Sequence, residues 1–249
     1  MSSETFLFLI LGGLAGGFIN GFSGTGTALF AMGFLLNVLE PRQAVAVVAL
    51  ISVLAGLQGA WLVRAAILAN PARLLRFLLP GLAGVPVGIS LLAYVDAQSL
   101  RLLVAVFLIA YGAYFGFRRA LPRFERQTPF ADAGVGLASG VLGGLASLSG
   151  TLPAIWLSLR PWPKAEVRAV MQPFNLGILA TTVAMLAYGG AYTASTWLAL
   201  GVALPAGLAA AQVGLWLFKK VSDDQFRRIL IIMCLALGVG IMIREWALF

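Results

Sequence analysis

Two short clusters of small polar residues interrupt otherwise apolar stretches of this sequence. They are Phe22-Ser23-Gly24-Thr25-Gly26-Thr27 and Ser147-Leu148-Ser149-Gly150-Thr151-Leu152-Pro153. Clusters of Gly, Ser and Thr punctuate a helix, and a proline just after such a break suits the first turn of a new one. A helix that restarts after a break offers unpaired backbone N–H groups and the positive end of its dipole, which together favour an anion. Ser23, Thr25, Thr27, Ser147, Ser149 and Thr151 add hydroxyls, while Gly24, Gly26 and Gly150 let the backbone approach a ligand closely. Few other polar residues stand inside apolar stretches: Asn20, Ser52, Gln58, Gln172, Asn175 and Gln212. Gln172 and Asn175 are three apart and share a helix face, with Pro173 loosening the backbone between them. Asn20, Gln172 and Asn175 therefore join the two breaks as candidate substrate-binding residues. Simple interhelical hydrogen bonding is the competing role for Gln172 and Asn175, and the expected role for Gln58 and Gln212.

Other chemistries lack their residues. The chain has no histidine, and its one cysteine, Cys234, sits in an apolar run, so no disulfide, thiolate metal cluster or His ligand set is available. Gly21-Phe22-Ser23-Gly24 resembles the serine motif of rhomboid intramembrane proteases, but the general base that chemistry needs, normally His, is missing. The same stretch lacks the Lys of a phosphate-binding P-loop. No enzyme activity, metal or cofactor is expected. All nine acidic residues (Glu4, Glu40, Asp96, Glu125, Asp132, Glu166, Asp223, Asp224 and Glu245) fall in a loop, at a terminus or at the end of an apolar run. Proton-coupled carriers keep acidic or His groups in the membrane. The expectation is therefore a site that holds its anion with neutral donors and helix dipoles.

The elements that must position these residues are membrane helices. Of the 249 residues, 61% are hydrophobic and 10% charged, against about a quarter charged in soluble domains. Lipid is the solvent such a chain requires. The net charge of +8 belongs to basic loops flanking membrane helices and not to nucleic-acid binding, since no basic stretch has a soluble domain around it. Apolar runs lie at 5–38, 44–63, 77–95, 102–117, 131–159, 169–190, 197–218 and 229–247. Those at 5–38 and 131–159 would be roughly 51 and 43 Å long as straight helices, too long for one crossing of a core roughly 30 Å thick. These are the two runs that contain the breaks. No Lys or Arg precedes the first run, so it is expected to belong to the mature protein and not to a signal peptide.

The order of one long broken run and three spans occurs twice. A shift of 124 places Gly12, Gly16, Ser23, Gly26 and Thr27 on Gly136, Gly140, Ser147, Gly150 and Thr151. A shift of 126 places Val87-Gly88 on Val213-Gly214, Arg101 on Arg227 and Gly112 on Gly238. Residues 1–120 and 121–249 are thus expected to be two membrane repeats, with a basic cytoplasmic linker at 118–128. If each long run crossed once, Lys and Arg would divide 8 against 9 between the two faces. If each dips in and returns, the division is 14 against 3, with only Arg42, Arg101 and Arg244 on the poorer face. The second arrangement obeys the positive-inside rule and turns the second repeat upside down relative to the first, a plan common in secondary transporters. The expected fold is therefore an all-α polytopic membrane protein of two inverted repeats. Each is a broken, re-entrant helical hairpin followed by three transmembrane helices, and both termini are periplasmic.

The Gly-rich broken first run, its echo in the second half, Pro41-Arg42-Gln43-Ala44 and Lys164-Ala165-Glu166-Val167-Arg168-Ala169 together resemble the sulfite exporter TauE/SafE family over nearly the whole chain. The resemblance implies a bacterial inner-membrane carrier of sulfur-containing anions such as sulfite, sulfoacetate and related organosulfonates. The residues themselves reach only as far as a small anion. Expected partners are that anion and the lipid bilayer; nucleic acid is not expected, and a homo-oligomer is left open. The alternatives are an anion channel and a non-transporting assembly protein, the latter with no need of two matched polar breaks.

Overall fold

A computed structural model describes residues 2–62, 64, 71–117, 128–162 and 164–247. The linker expected at 118–128 lies outside them apart from Thr128, as does the side chain of Gln58. Among the described residues the fold is all-helical, with ten helices. They are α1 (Ser3–Ser23), α2 (Thr27–Leu35), α3 (Pro41–Leu62), α4 (Pro71–Leu92), α5 (Ala97–Phe117), α6 (Pro129–Ala146), α7 (Thr151–Ser158), α8 (Lys164–Tyr188), α9 (Ala194–Lys220) and α10 (Asp223–Ala247). Six are long and apolar enough to cross a membrane, α1, α4, α5, α6, α8 and α9.

Local signals set the helix ends. Ser2 caps α1 by accepting the Thr5 N–H, and Thr193 caps α9 by accepting that of Thr196. Asp96 does the same for α5 through the Ser99 N–H at 2.7 Å, which holds its carboxyl below the usual carboxylate range. α1 stops at Gly24 and α2 starts after Gly26, both glycines in the left-handed region, at φ 80° and 94°. α6 stops at Ser147, also left-handed at φ 55°. There the Ser147 and Leu148 N–H groups return to the Gly143 and Leu142 carbonyls and satisfy two carbonyls of the last turns.

After each stop the chain doubles back. α2 lies antiparallel on α1, so that a Cβ at Gly12 would meet Leu35, and one at Gly16 would meet Ala31 and Thr27. α7 returns beside α6 until Arg160 reaches Thr128 and Asp132, at the start of α6. Each hairpin thus turns back toward the end at which it entered, and the two enter from opposite ends. Arg42, Arg101 and Arg244 gather where α1 begins, held by the Gly189 carbonyl, by Glu245 with the Leu36 carbonyl, and by Asn37. The remaining described Lys and Arg residues lie toward the other end, where Arg73 pairs with Glu166.

The helices pair closely. α1 runs parallel to α9, with Gly13, Gly17 and Gly21 against the backbone of Ala203, Gly207 and Ala211. α6 runs parallel to α4, with Gly136, Gly140 and Gly144 against that of Phe77, Gly81 and Val85. Small residues allow this approach, the usual basis of helix packing in lipid. α3 lies against α8 and α5 against α10, both antiparallel. This set of pairs is unchanged when the first five helices are exchanged with the last five. Leucine, valine and isoleucine cover the outer surface, while the exposed Trp61, Tyr94, Phe130, Tyr188, Trp197 and Trp246 sit at helix ends. Aromatic rings at both rims of an apolar band are the mark of a bilayer-spanning surface.

Candidate functional site

The two breaks meet inside the bundle. A Cβ on Gly150 would lie 3.1 Å from the Thr25 Cβ, so the tips of the hairpins are in van der Waals contact across a glycine. Polar side chains fix each tip. In the first, the Asn20 Nδ2 donates to Thr27 Oγ1 at 2.7 Å, and Ser23 Oγ donates to the Ile19 and Thr25 carbonyls at 2.9 and 2.6 Å. In the second, Ser149 Oγ donates to Asn175 Oδ1 on α8, and Ser147 Oγ donates to the Val45 carbonyl on α3 at 3.2 Å. Ser147 occupies a backbone region that costs a non-glycine residue roughly 1–2 kcal/mol; its hydroxyl ties the tip to α3. Gln172 Nε2 donates to the Gly56 carbonyl at 3.2 Å, which joins α8 to α3. The short helices α2 and α7 begin at Gly26 and Gly150 without any side-chain cap on their N-termini.

Two cavities touch the tips. One of about 20 Å³, room for a single water, lies between them and is lined by Ser23, Thr25, Gly26, Gly150 and Thr151, with Tyr111 and Cys234 behind. A larger one, of about 350 Å³, takes its polar inner wall from Ser23, Gly24, Thr25 and Gln172. It extends toward the basic end, between Ser158 at the end of α7, Arg160 and Trp162 after it, and Met171 on α8. Of the twelve residues singled out in the sequence, Ser23, Gly24, Thr25, Gly26, Gly150, Thr151 and Gln172 line one cavity or both. Asn20, Thr27, Ser147, Ser149 and Asn175 line neither; all five are buried and bonded within the tips.

One charged side chain escaped the sequence reading. Arg160 counts in the sequence as a loop residue that sets topology, yet it is buried and forms part of the larger cavity's wall. Its Nη2 lies 2.9 Å from Asp132 Oδ1, the atom that also accepts the Trp156 Nε1–H at 2.7 Å. The larger cavity is therefore not lined by neutral groups alone. No spacing rule links positions 132 and 160; only the return of α7 beside α6 brings them together. Among the described residues no three His, Cys, Asp or Glu side chains converge as a metal site.

Hydroxyls, a glycine-lined approach and uncapped helix starts are the donors a small oxyanion accepts from. A family model described as sulfite exporter TauE/SafE matches residues 9–241 of the chain. No curated protein and no solved structure matches it.

Proposed function

The chain belongs to the sulfite exporter TauE/SafE family, and we propose that it is a secondary transporter that carries small sulfur-containing anions, sulfite, sulfoacetate or a related organosulfonate, across the bacterial inner membrane. Membership makes it a multi-pass membrane transporter and not an enzyme. The observation that carries the finer reading is the contact of Thr25 with Gly150, which sets two polar helix breaks against each other beside a cavity of about 350 Å³. Non-helical backbone at membrane depth is tolerated where it lines a cavity or is buried in protein. A sulfite or sulfonate oxygen set matches the donors these breaks present.

Two inverted repeats explain how the breaks come to face each other. The helix pairing is unchanged on exchanging the halves, and the hairpins enter from opposite ends; both support this plan. The positive-inside rule then sets the basic end in the cytoplasm and both termini in the periplasm.

Binding of sulfite and sulfoacetate to the purified protein tests the site. Thr25→Val removes a cavity-lining hydroxyl, and Ser149→Ala and Asn175→Ala remove a bond that fixes the second tip. Each is expected to weaken binding about two- to tenfold, the worth of one net hydrogen bond. Unchanged affinity in all three variants would remove the tips from the binding site.

A further inference from the structure

Among the described residues that line the larger cavity, Arg160 is the single charged one. Its carboxylate partner is not part of that wall. Asp132 lies on the α6 side, where one oxygen takes both the Arg160 and Trp156 donors. Thr128 Oγ1 accepts from Arg160 as well, and the guanidinium stands 5.2 Å from the Trp156 ring centre. These contacts fix the orientation of a planar group that binds oxyanions through paired N–H donors. Side-chain exposure is 5% for Arg160 and 6% for Asp132, so the pair is withdrawn from bulk water and only weakly screened. A cation in the wall with its carboxylate behind it presents a positive pole to the cavity at almost no net charge.

We propose that Arg160 is a specificity-determining residue that contacts the anionic group of the substrate in this cavity, and that Asp132 is the counter-ion that keeps this contact weak enough for release. The inference rests on the cavity being the anion site proposed above. An unpaired buried cation is costly and would hold an entering anion tightly. With Asp132 in place the empty cavity is satisfied, and the anion must share the guanidinium with a carboxylate that never leaves. A carrier needs this compromise, since its ligand must depart on every cycle.

The two members of the pair then have opposite effects on binding, which a merely structural ion pair would not show. The test uses the full chain in lipid nanodiscs, with sulfite and sulfoacetate as probes, and reads affinity by calorimetry together with the rise in melting temperature on adding the anion. Arg160→Gln is expected to weaken binding about tenfold, the scale of a hydrogen bond to a charged group. Asp132→Asn is expected to tighten binding and to enlarge the anion-dependent rise in melting temperature, because the anion now satisfies Arg160. The double variant keeps the weak affinity of Arg160→Gln. Arg160→Lys retains the charge against Asp132 and guards against a misfolded Gln variant; it is expected to fold and still bind several-fold more weakly, having lost the fork. The proposal is overturned if Asp132→Asn weakens binding as Arg160→Gln does and the double variant restores it, for the pair then only fastens the hairpin. It is overturned equally by wild-type affinity in Arg160→Lys and Asp132→Asn. If the wild-type chain binds neither probe, the anion site itself fails, a result distinct from either of these.

Discussion

Substituting Gly140 by alanine tests the packing that holds the second hairpin in place. A Cβ on Gly140 would sit 1.8 Å from the Gly81 carbonyl oxygen and 2.6 Å from its carbon. Both atoms belong to the backbone of α4, so no side chain can rotate away. Ordinary contact begins at 3.4 Å, so α6 and α4 must part by about 1.6 Å at this level. A gap of 0.5–1 Å already forfeits roughly a quarter to a half of a van der Waals contact, and the loss extends to Gly136 and Gly144, one turn away on either side. Overpacking of this kind costs about 1–3 kcal/mol, from which about 1 kcal/mol is recovered because alanine favours the helix more than glycine does. The net loss is about 0–2 kcal/mol against wild type and about 1–3 kcal/mol against an alanine placed where there is room for it, which lowers the melting temperature by about 2–12 °C relative to such a control for a chain of this size.

Thermal unfolding of the purified protein, followed by size-exclusion chromatography, is the assay. Gly134→Ala and Gly201→Ala are the controls, since nothing lies within 4 Å of a Cβ at either position; they are expected to match or slightly exceed wild-type stability. Gly17→Ala, whose Cβ would lie 2.0 Å from the Gly207 oxygen, is expected to behave as Gly140→Ala does. If Gly140→Ala melts with the controls and transports normally, the close approach of α6 to α4 is wrong.

Two further outcomes follow from the transport reading. A reporter fused after Phe249 is expected to be active only outside the cytoplasm; a cytoplasmic signal would invert the proposed topology. In proteoliposomes, anion exit is expected to rise with an imposed potential, negative inside, which favours it by roughly 2.3 kcal/mol per charge per 100 mV. Flux that ignores the potential and requires a pH gradient would refute potential-driven exit.

The positions of the breaks were legible in the sequence because their signal is local. Clusters of glycine with Ser and Thr inside an apolar run punctuate a helix, and α1 and α2 end and begin at Ser23 and Thr27. The glycines that hold the hairpins were read one residue out of register. A constant shift of 124 matches Gly12 and Gly16 to Gly136 and Gly140. In the structure it is Gly13, Gly17 and Gly21 that meet α9 as Gly136, Gly140 and Gly144 meet α4, whereas Gly12 and Gly16 face α2. The cause lies in the breaks. The left-handed stops, Gly24 and Ser147, are 123 positions apart, and the restarts, Gly26 and Gly150, are 124 apart. The second break is one residue longer, so a shift that is correct after it fails before it. On a helix one residue is a turn of about 100°, enough to exchange one packing face for another.

The burial of Arg160 escapes a count along the sequence for a reason that applies to both hairpins. α7 has 8 residues and α6 has 18, about 12 and 27 Å of helix. The returning limb therefore ends well short of the level where the hairpin began. A residue just after it, such as Arg160, is next to a loop in sequence but still inside the bundle in space. Its long side chain spans the remaining distance to Asp132. The first hairpin repeats the geometry, with 9 residues in α2 against 21 in α1. There Arg101 donates to the carbonyl of Leu36, at the end of α2, while its Nε holds Glu245 at 2.6 Å. A short limb leaves the carbonyls of its last turn away from water, and a cation is what such an end requires. The same shortness that puts two helix starts at the tips thus buries an arginine–carboxylate pair near each helix end. Counting charges by loop assigns those arginines to topology, because a count along the chain carries no depth. Depth enters only when the limb lengths are compared, and on that comparison Arg160 belongs to the cavity wall as well as to the basic face.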